Sequence, residues 1–199
     1  FVRTLEAIDR NKASLPPSVH EEIGALFEAR GAVEAHLARI TAEPIDAVRI
    51  RAHGDLHLGQ VLFTGDDFVI IDFEGEPGRP LRERRYKRNV LRDVAGMLRS
   101  FSYASESALL GGRQRAQDFD RLRPWARAWS TWTSCAYLSG YLETARGTAL
   151  VPPSAAVRKL LVDFYSIEKC IYEIGYELSS RPTWLPIPVR GLLELVADG

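Results

Sequence analysis

Residues 51–77 read RAHGDLHLGQVLFTGDDFVIIDFEGEP, and the fold turns on this stretch. Two short runs rich in β-branched and aromatic residues, QVLFT and DFVIID, flank Gly65 and Asp66, a pattern that predicts a tight β-hairpin. A hairpin returns its ends to the same edge. The turn from His53 to Gln60 and the turn from Asp72 to Gly75 are therefore expected to meet, with Asp55, Gln60, Asp72 and Glu74 converging. Carboxylates joined by an amide oxygen, without cysteine pairs or a full histidine set, suit a hard cation such as Mg2+ rather than zinc. A carboxylate left free of metal can act as a base. That division of labour is the one phosphoryl transfer needs, with metal on the phosphates and an aspartate orienting the acceptor hydroxyl.

Outward from the hairpin, the chain reads as helical. Apolar residues recur at helical spacing from Phe1 to about Asn11 and from Val19 to Ile40, with Pro16 and Pro17 between the runs and Pro44 breaking the pattern. Beyond an arginine-rich segment that ends at Arg92, the spacing resumes at Val94, Met97, Leu98 and Phe101. Further helices are expected from Arg121 to Arg146, from about Ser154 to Ser179, and from Val189 to Val196 after Pro186 and Pro188. The fold class is mainly α with a small β-hairpin, and one compact unit is expected.

The chain has 199 residues, long enough for a substantial core, and its charge balances at Lys+Arg 26 against Asp+Glu 26. No global field favours nucleic acid or an anionic membrane surface. Cys135 and Cys170 form neither a disulfide framework nor a metal knuckle. No apolar run approaches the roughly 20 residues that span a bilayer. A cytoplasmic protein with no nucleic-acid or membrane partner is the expectation. Phe1 already stands in what reads as an amphipathic helix, so the chain is expected to be the carboxyl part of something longer.

HGDLHLGQ followed by IIDFEGEP resembles the catalytic and metal-binding loops of aminoglycoside phosphotransferase-like kinases, relatives of protein kinases. HGDLHLGQVL, DFEGEP, LRDVAGMLRSF and EKCIYEIGYELSSRPTWLPIPVRGLL together look more closely like bacterial maltokinase, one form of which is fused to trehalose synthase. The resemblance implies the C-terminal, helical lobe of a protein kinase-like α+β fold across residues 1–199. It implies ATP as co-substrate, Mg2+ as cofactor, and maltose or a related small sugar as acceptor, giving maltose 1-phosphate. Asp55 would be the catalytic base, Asp72 the principal metal ligand, and Gln60 and Glu74 further metal contacts. Asp93 would hold the catalytic loop by hydrogen bonds, with His53 packed beneath that loop. Glu168, Lys169, Tyr172 and Glu173 would offer a sugar-binding face, although an exposed amphipathic face with internal ion pairs explains them as well. His57 reads equally as a sugar contact or a surface histidine.

A kinase of this kind also needs an amino-terminal sheet lobe with a phosphate-covering loop and a strand lysine. Neither precedes Asp55, so the nucleotide-binding lobe is expected to be missing, together with any fused trehalose synthase, and the isolated chain to be inactive and prone to self-association. Another small-molecule kinase, acting on a different sugar, an aminoglycoside or a choline-like amine, is the alternative, as is a non-catalytic kinase-like binding domain. Trp125, Trp129 and Trp132 fall on one helical stripe and are expected in the core. The cluster from Arg82 to Arg92 is expected to be a solvated segment pairing with nearby acids.

Overall fold

The computed structural model describes residues 1–42, 45–111 and 118–197; Pro44, expected to break the helical pattern, lies outside them. The chain divides into two compact units, Phe1–Pro44 with Ser166–Gly199, and Ile45–Tyr165.

In the first unit the expected opening helix is α1 (Val2–Asn11), while the run from Val19 to Ile40 forms two helices, α2 (His20–Glu28) and α3 (Arg30–Arg39). The break falls at Ala29, whose ψ of 1° leaves the helical range. Ile8, Val19, Ile23, Leu26 and Val33 from these elements are buried with Ile167, Cys170 and Ile174 of α7 (Ala155–Ser180) and with Leu185, Val189 and Leu192 around α8 (Pro186–Ala197). Each side chain of that size, fully buried, stabilises the unit by about 1.5–3 kcal/mol. Glu22 and Arg190 form an ion pair that ties α2 to α8. The end of α7 is fixed by Glu177, a buried carboxylate whose Oε1 accepts from Arg181 Nη2 at 2.6 Å. The same guanidinium lies 4.3 Å over the Trp184 ring. That arrangement accounts for the ELSSRPTW motif, which turns the chain from α7 into α8. Pro186 and Pro188 open α8 rather than precede it, because a proline in the first turn removes an N–H that has no helical partner.

The second unit contains the hairpin, β1 (Val61–Phe63) and β2 (Phe68–Ile70), then α4 (Leu81–Arg84), α5 (Leu91–Gly111), α6 (Phe119–Thr144) and the first part of α7. The strands pair antiparallel with Val61 opposite Ile70 and Phe63 opposite Phe68. Gly65 takes φ 112°, the left-handed value the turn requires. Phe63 and Phe68 are 66% and 65% exposed, and Leu62, Val69 and Ile70 of the same strands are exposed too. α5 packs on α6, with the ring of Phe101 meeting that of Tyr137 edge to face, centroids 5.7 Å apart.

The tryptophans of α6 depart from expectation. Trp125, Trp129 and Trp132 are 74%, 49% and 77% exposed, so helical spacing gave the shared face correctly and its direction wrongly. Pro124 lies inside α6 rather than at its start.

Candidate functional site

The loop from His53 to Gln60 is built against one face of α5. Asp93, in the first turn of α5, accepts from the backbone N–H of His53 at 2.7 Å and of Gly54 at 2.8 Å. Three residues on, Gly96 faces the same loop: a Cβ there would stand 2.7 Å from the Leu56 carbonyl oxygen, inside any real contact. One turn further, the Ser100 hydroxyl accepts from the Leu58 N–H at 2.9 Å. Residues at i, i+3 and i+7 share a helix face, so a single stripe of α5 shapes the loop from end to end. Of that stripe only Asp93 was singled out in the sequence; the helical spacing from it was the signal for Gly96 and Ser100.

His53 is buried where it was expected, beneath the loop. Its Nε2 lies 2.7 Å from the Ile71 carbonyl, to which it donates, and its Nδ1 accepts from the Asp55 N–H at 3.3 Å. Both bonds are met by the tautomer protonated on Nε2. The ring also lies 4.8 Å from that of Phe73. His53 thereby links the Asp55 turn to the exit of β2. His57 is committed locally, its Nδ1 accepting from Gly59 N–H at 3.0 Å to start a 3-10 turn over Leu58–Gln60.

Across the base of the hairpin, Gln60 Nε2 donates to Asp72 Oδ2 at 2.8 Å, and Ile71 N–H donates to the Gln60 carbonyl at 3.0 Å. Asp72 is the one non-glycine residue among those described with positive φ, at 64°. A left-handed backbone on a residue with a Cβ costs on the order of 1 kcal/mol, and such outliers concentrate at working sites. Asp72 and Gln60 are oxygen donors of the kind a Mg2+ ion takes, since that ion uses one or two carboxylates and completes its shell with waters and phosphate oxygens. Among the described residues no group of three or more His, Cys, Asp or Glu is gathered for a metal. Glu74 lines a neighbouring cleft with Arg51, Arg84, Arg85 and Lys87.

Glu76 went unnoticed in the sequence and is 2% exposed. Arg79 pairs with it, and Arg92 Nη2 lies 3.1 Å from its Oε2. Arg92 pairs with a nearby acid as its cluster was expected to, but in a buried setting rather than a solvated one. Removing one member of such a pair leaves an uncompensated buried charge at a cost of about 3–5 kcal/mol.

Behind Asp93, burial pushes the Tyr137 hydroxyl up to about 12, with Tyr141 and then the Asp93 carboxylate adding to the rise. Tyr141 is raised by burial and then by Asp93. Glu168, Lys169, Tyr172 and Glu173 belong to the first unit, on α7, where Lys169 Nζ lies 4.8 Å over the Tyr172 ring. Asp55, Gln60, Asp72 and Asp93 belong to the second.

No protein-family model matches the chain. It is 26% identical over 197 residues to the glucosamine kinase of Streptacidiphilus jiangxiensis, covering 99% of this chain and 42% of that protein. It is 31% identical over 200 residues to the glucosamine kinase of Mycolicibacterium smegmatis (strain ATCC 700084 / mc(2)155), covering 98% of this chain and 45% of that protein. A solved glucosamine kinase in complex with glucosamine, ADP and inorganic phosphate superposes with TM-score 0.74 at 22% identity, over 99% of this chain and 46% of that one. A second glucosamine kinase structure gives TM-score 0.75 at 23% identity, over 99% and 45%. The fold is that of a kinase-like helical lobe. The chain spans less than half the length of the curated relatives it matches.

Proposed function

We propose that this chain is the carboxyl lobe of an ATP-dependent sugar kinase, carrying the acceptor-activating and metal-binding groups. The observation that carries the reading is the closure of the hairpin base, where Gln60 meets Asp72 at 2.8 Å while Asp93 fixes the turn that holds Asp55. Asp55 orients the acceptor hydroxyl and takes its proton as the acceptor oxygen bonds to the γ-phosphorus of ATP and the bond to the ADP oxygen breaks. Asp72 and Gln60 would hold Mg2+, which when bound neutralises charge on the phosphates. His53 and Asp93 act through the loop, keeping the Asp55 backbone in place. The nucleotide-covering lobe belongs, in this reading, to residues outside these 199, in keeping with the share of the relatives that the chain spans. A cytoplasmic setting suits such an enzyme, and no described helix is long and apolar enough to cross a membrane.

The relatives favour an amino sugar, glucosamine, as acceptor. A second reading, maltose giving maltose 1-phosphate, rests on the EKCIYEIGYELSSRPTWLPIPVRGLL motif and its neighbours. In either case Glu168, Lys169, Tyr172 and Glu173 on α7 are kept as a proposed sugar face, and His57, in the other unit, as a separate proposed sugar contact. Titration of the chain with glucosamine, maltose and glucose separates them: saturable binding of one sugar over the others names the acceptor. No binding to a folded chain would remove the sugar face from α7. In a protein carrying both lobes, Asp55→Asn is expected to lower turnover roughly 10^2- to 10^4-fold with folding intact. Unchanged turnover would sink the assignment and favour a non-catalytic binding domain.

A further inference from the structure

Beside the candidate site lies a cleft of about 750 Å³ lined by Arg51, Glu74, Arg84, Arg85, Tyr86 and Lys87 among others. The chain as a whole has no net charge, yet here Arg51, Arg84, Arg85 and Lys87 stand against Glu74. A concave surface with one excess sign focuses its field and concentrates counter-ions. The volume falls in the range of small-molecule sites, roughly 300–1,000 Å³.

The cleft is also built rather than merely populated. Arg84 donates from Nε to the Arg79 carbonyl at 2.9 Å and from Nη2 to the Pro77 carbonyl at 3.0 Å, which fixes its guanidinium in the wall. Gly75 takes φ 77°, a left-handed turn that brings the chain into ordinary contact with the Arg84 side chain. On the opposite side, Ile50 and Arg88 form an isolated antiparallel bridge with backbone bonds of 2.9 and 3.0 Å. That bridge holds Arg51 and Lys87, each next to a bridged residue, at the same cleft. Arg84, held by those side-chain bonds, loses little freedom on facing an anion, while the bridge fixes the backbone from which Arg51 and Lys87 reach the cleft. The Arg82 side chain, on the same segment and exposed, is not among the lining residues.

We propose that this cleft binds a phosphate-bearing small molecule through Arg51, Arg85 and Lys87, without the metal and without the Gln60 and Asp72 pair. Guanidinium and ammonium groups converging on one cavity are the usual phosphate ligands. A polynucleotide fits poorly, because the excess charge is confined to one cleft of a neutral chain. The cleft shares Glu74 with the metal contacts the sequence suggests but includes neither Gln60 nor Asp72, and its binding of phosphate does not rest on the kinase reading.

The test is calorimetric titration of the chain with inorganic phosphate and with glucose 6-phosphate, in a metal chelator, with glucose as control. Expected is saturable binding of one or both phosphates, weakened about tenfold or more by joint Arg85→Ala and Lys87→Ala, and kept in Arg82→Ala and in Asp72→Asn. Arg85 and Lys87 are exposed, so the double variant is expected to fold, which circular dichroism checks. Binding of neither phosphate overturns the proposal. So does equal weakening by Arg82→Ala, which means diffuse attraction, or loss in Asp72→Asn, which means the metal pair is the anion site. Equal binding of glucose overturns it as well, by showing sugar rather than phosphate recognition.

Discussion

The turn that carries Asp55 is tied to α5 by Asp93, Gly96 and Ser100, whereas the hairpin that leads to Asp72 is held by its own short ladder and by the His53 bond to Ile71. One half of the candidate site is thus fixed by polar bonds and close approach to a helix, which set position tightly. The other is a two-stranded ribbon with apolar side chains in water, and such a ribbon is marginal by itself. On the proposed function Asp55 and Asp72 need the same positional accuracy, so the difference teaches that the hairpin takes its order from its ends. Gln60 and Ile71 are those ends, joined to each other through the Ile71 N–H, with the Ile71 carbonyl bonded to His53.

The strongest challenge to this contrast is Asp93→Ala. It leaves the N–H groups of His53 and Gly54 without their acceptor, and a loss of ~2–4 kcal/mol in urea unfolding is expected. A loss under ~0.5 kcal/mol would show that the α5 anchor does not hold the turn. Gly96→Ala comes next, at ~1–3 kcal/mol, because its Cβ meets backbone that must move. Amide resonances of residues 54–58 should shift in that variant while those of β1 and β2 stay put; equal shifts in both would erase the distinction.

A pH test sharpens the anchor side. Tyr137 is raised from 10.0 to about 12 in the fold, so its contribution is complete below the unfolded value near 10.0 and is lost as pH climbs toward about 12. With allowance for partial solvent exposure, the expected Tyr137 share of the loss over that window is on the order of 1–2 kcal/mol, and Tyr137→Phe should remove that share while leaving the smaller one of Tyr141. A window unchanged in Tyr137→Phe would assign the alkaline loss to another group. The smallest effect belongs to the hairpin. Phe63→Ser with Phe68→Ser is expected to change stability by less than ~0.5 kcal/mol while reducing self-association in light scattering. A cost above ~2 kcal/mol would mean these rings are packed and would end the comparison.

The hairpin and the meeting of Gln60 with Asp72 were legible because the period-two runs and Gly65-Asp66 are local signals, whereas Glu74 turns to a neighbouring cleft. The helices of the first unit were legible because their apolar spacing is a local signal too, except for the break at Ala29, which nothing in composition marks. What escaped depends on partners distant in sequence. Spacing puts Trp125, Trp129 and Trp132 on one face of α6 but cannot say which face meets α5. Glu76 looks like any loop acid until Arg79 and Arg92 close on it. Gly96 looks like a weak point in a helix until the Leu56 carbonyl is seen against it. Asp93 was readable only because LRDVAGML resembles a known pattern, and in the fold its carboxylate accepts from the His53 and Gly54 N–H groups.

The left-handed backbone of Asp72 has a consequence for directed evolution of this chain. Glycine adopts that φ without steric strain, so in Asp72→Gly the relief of the backbone offsets the lost Gln60 bond, and a screen that reads thermal stability alone exerts little selection against it. Such a library would lose the hairpin's carboxylate unnoticed. Residue 72 is therefore the position to hold fixed when the scaffold is improved.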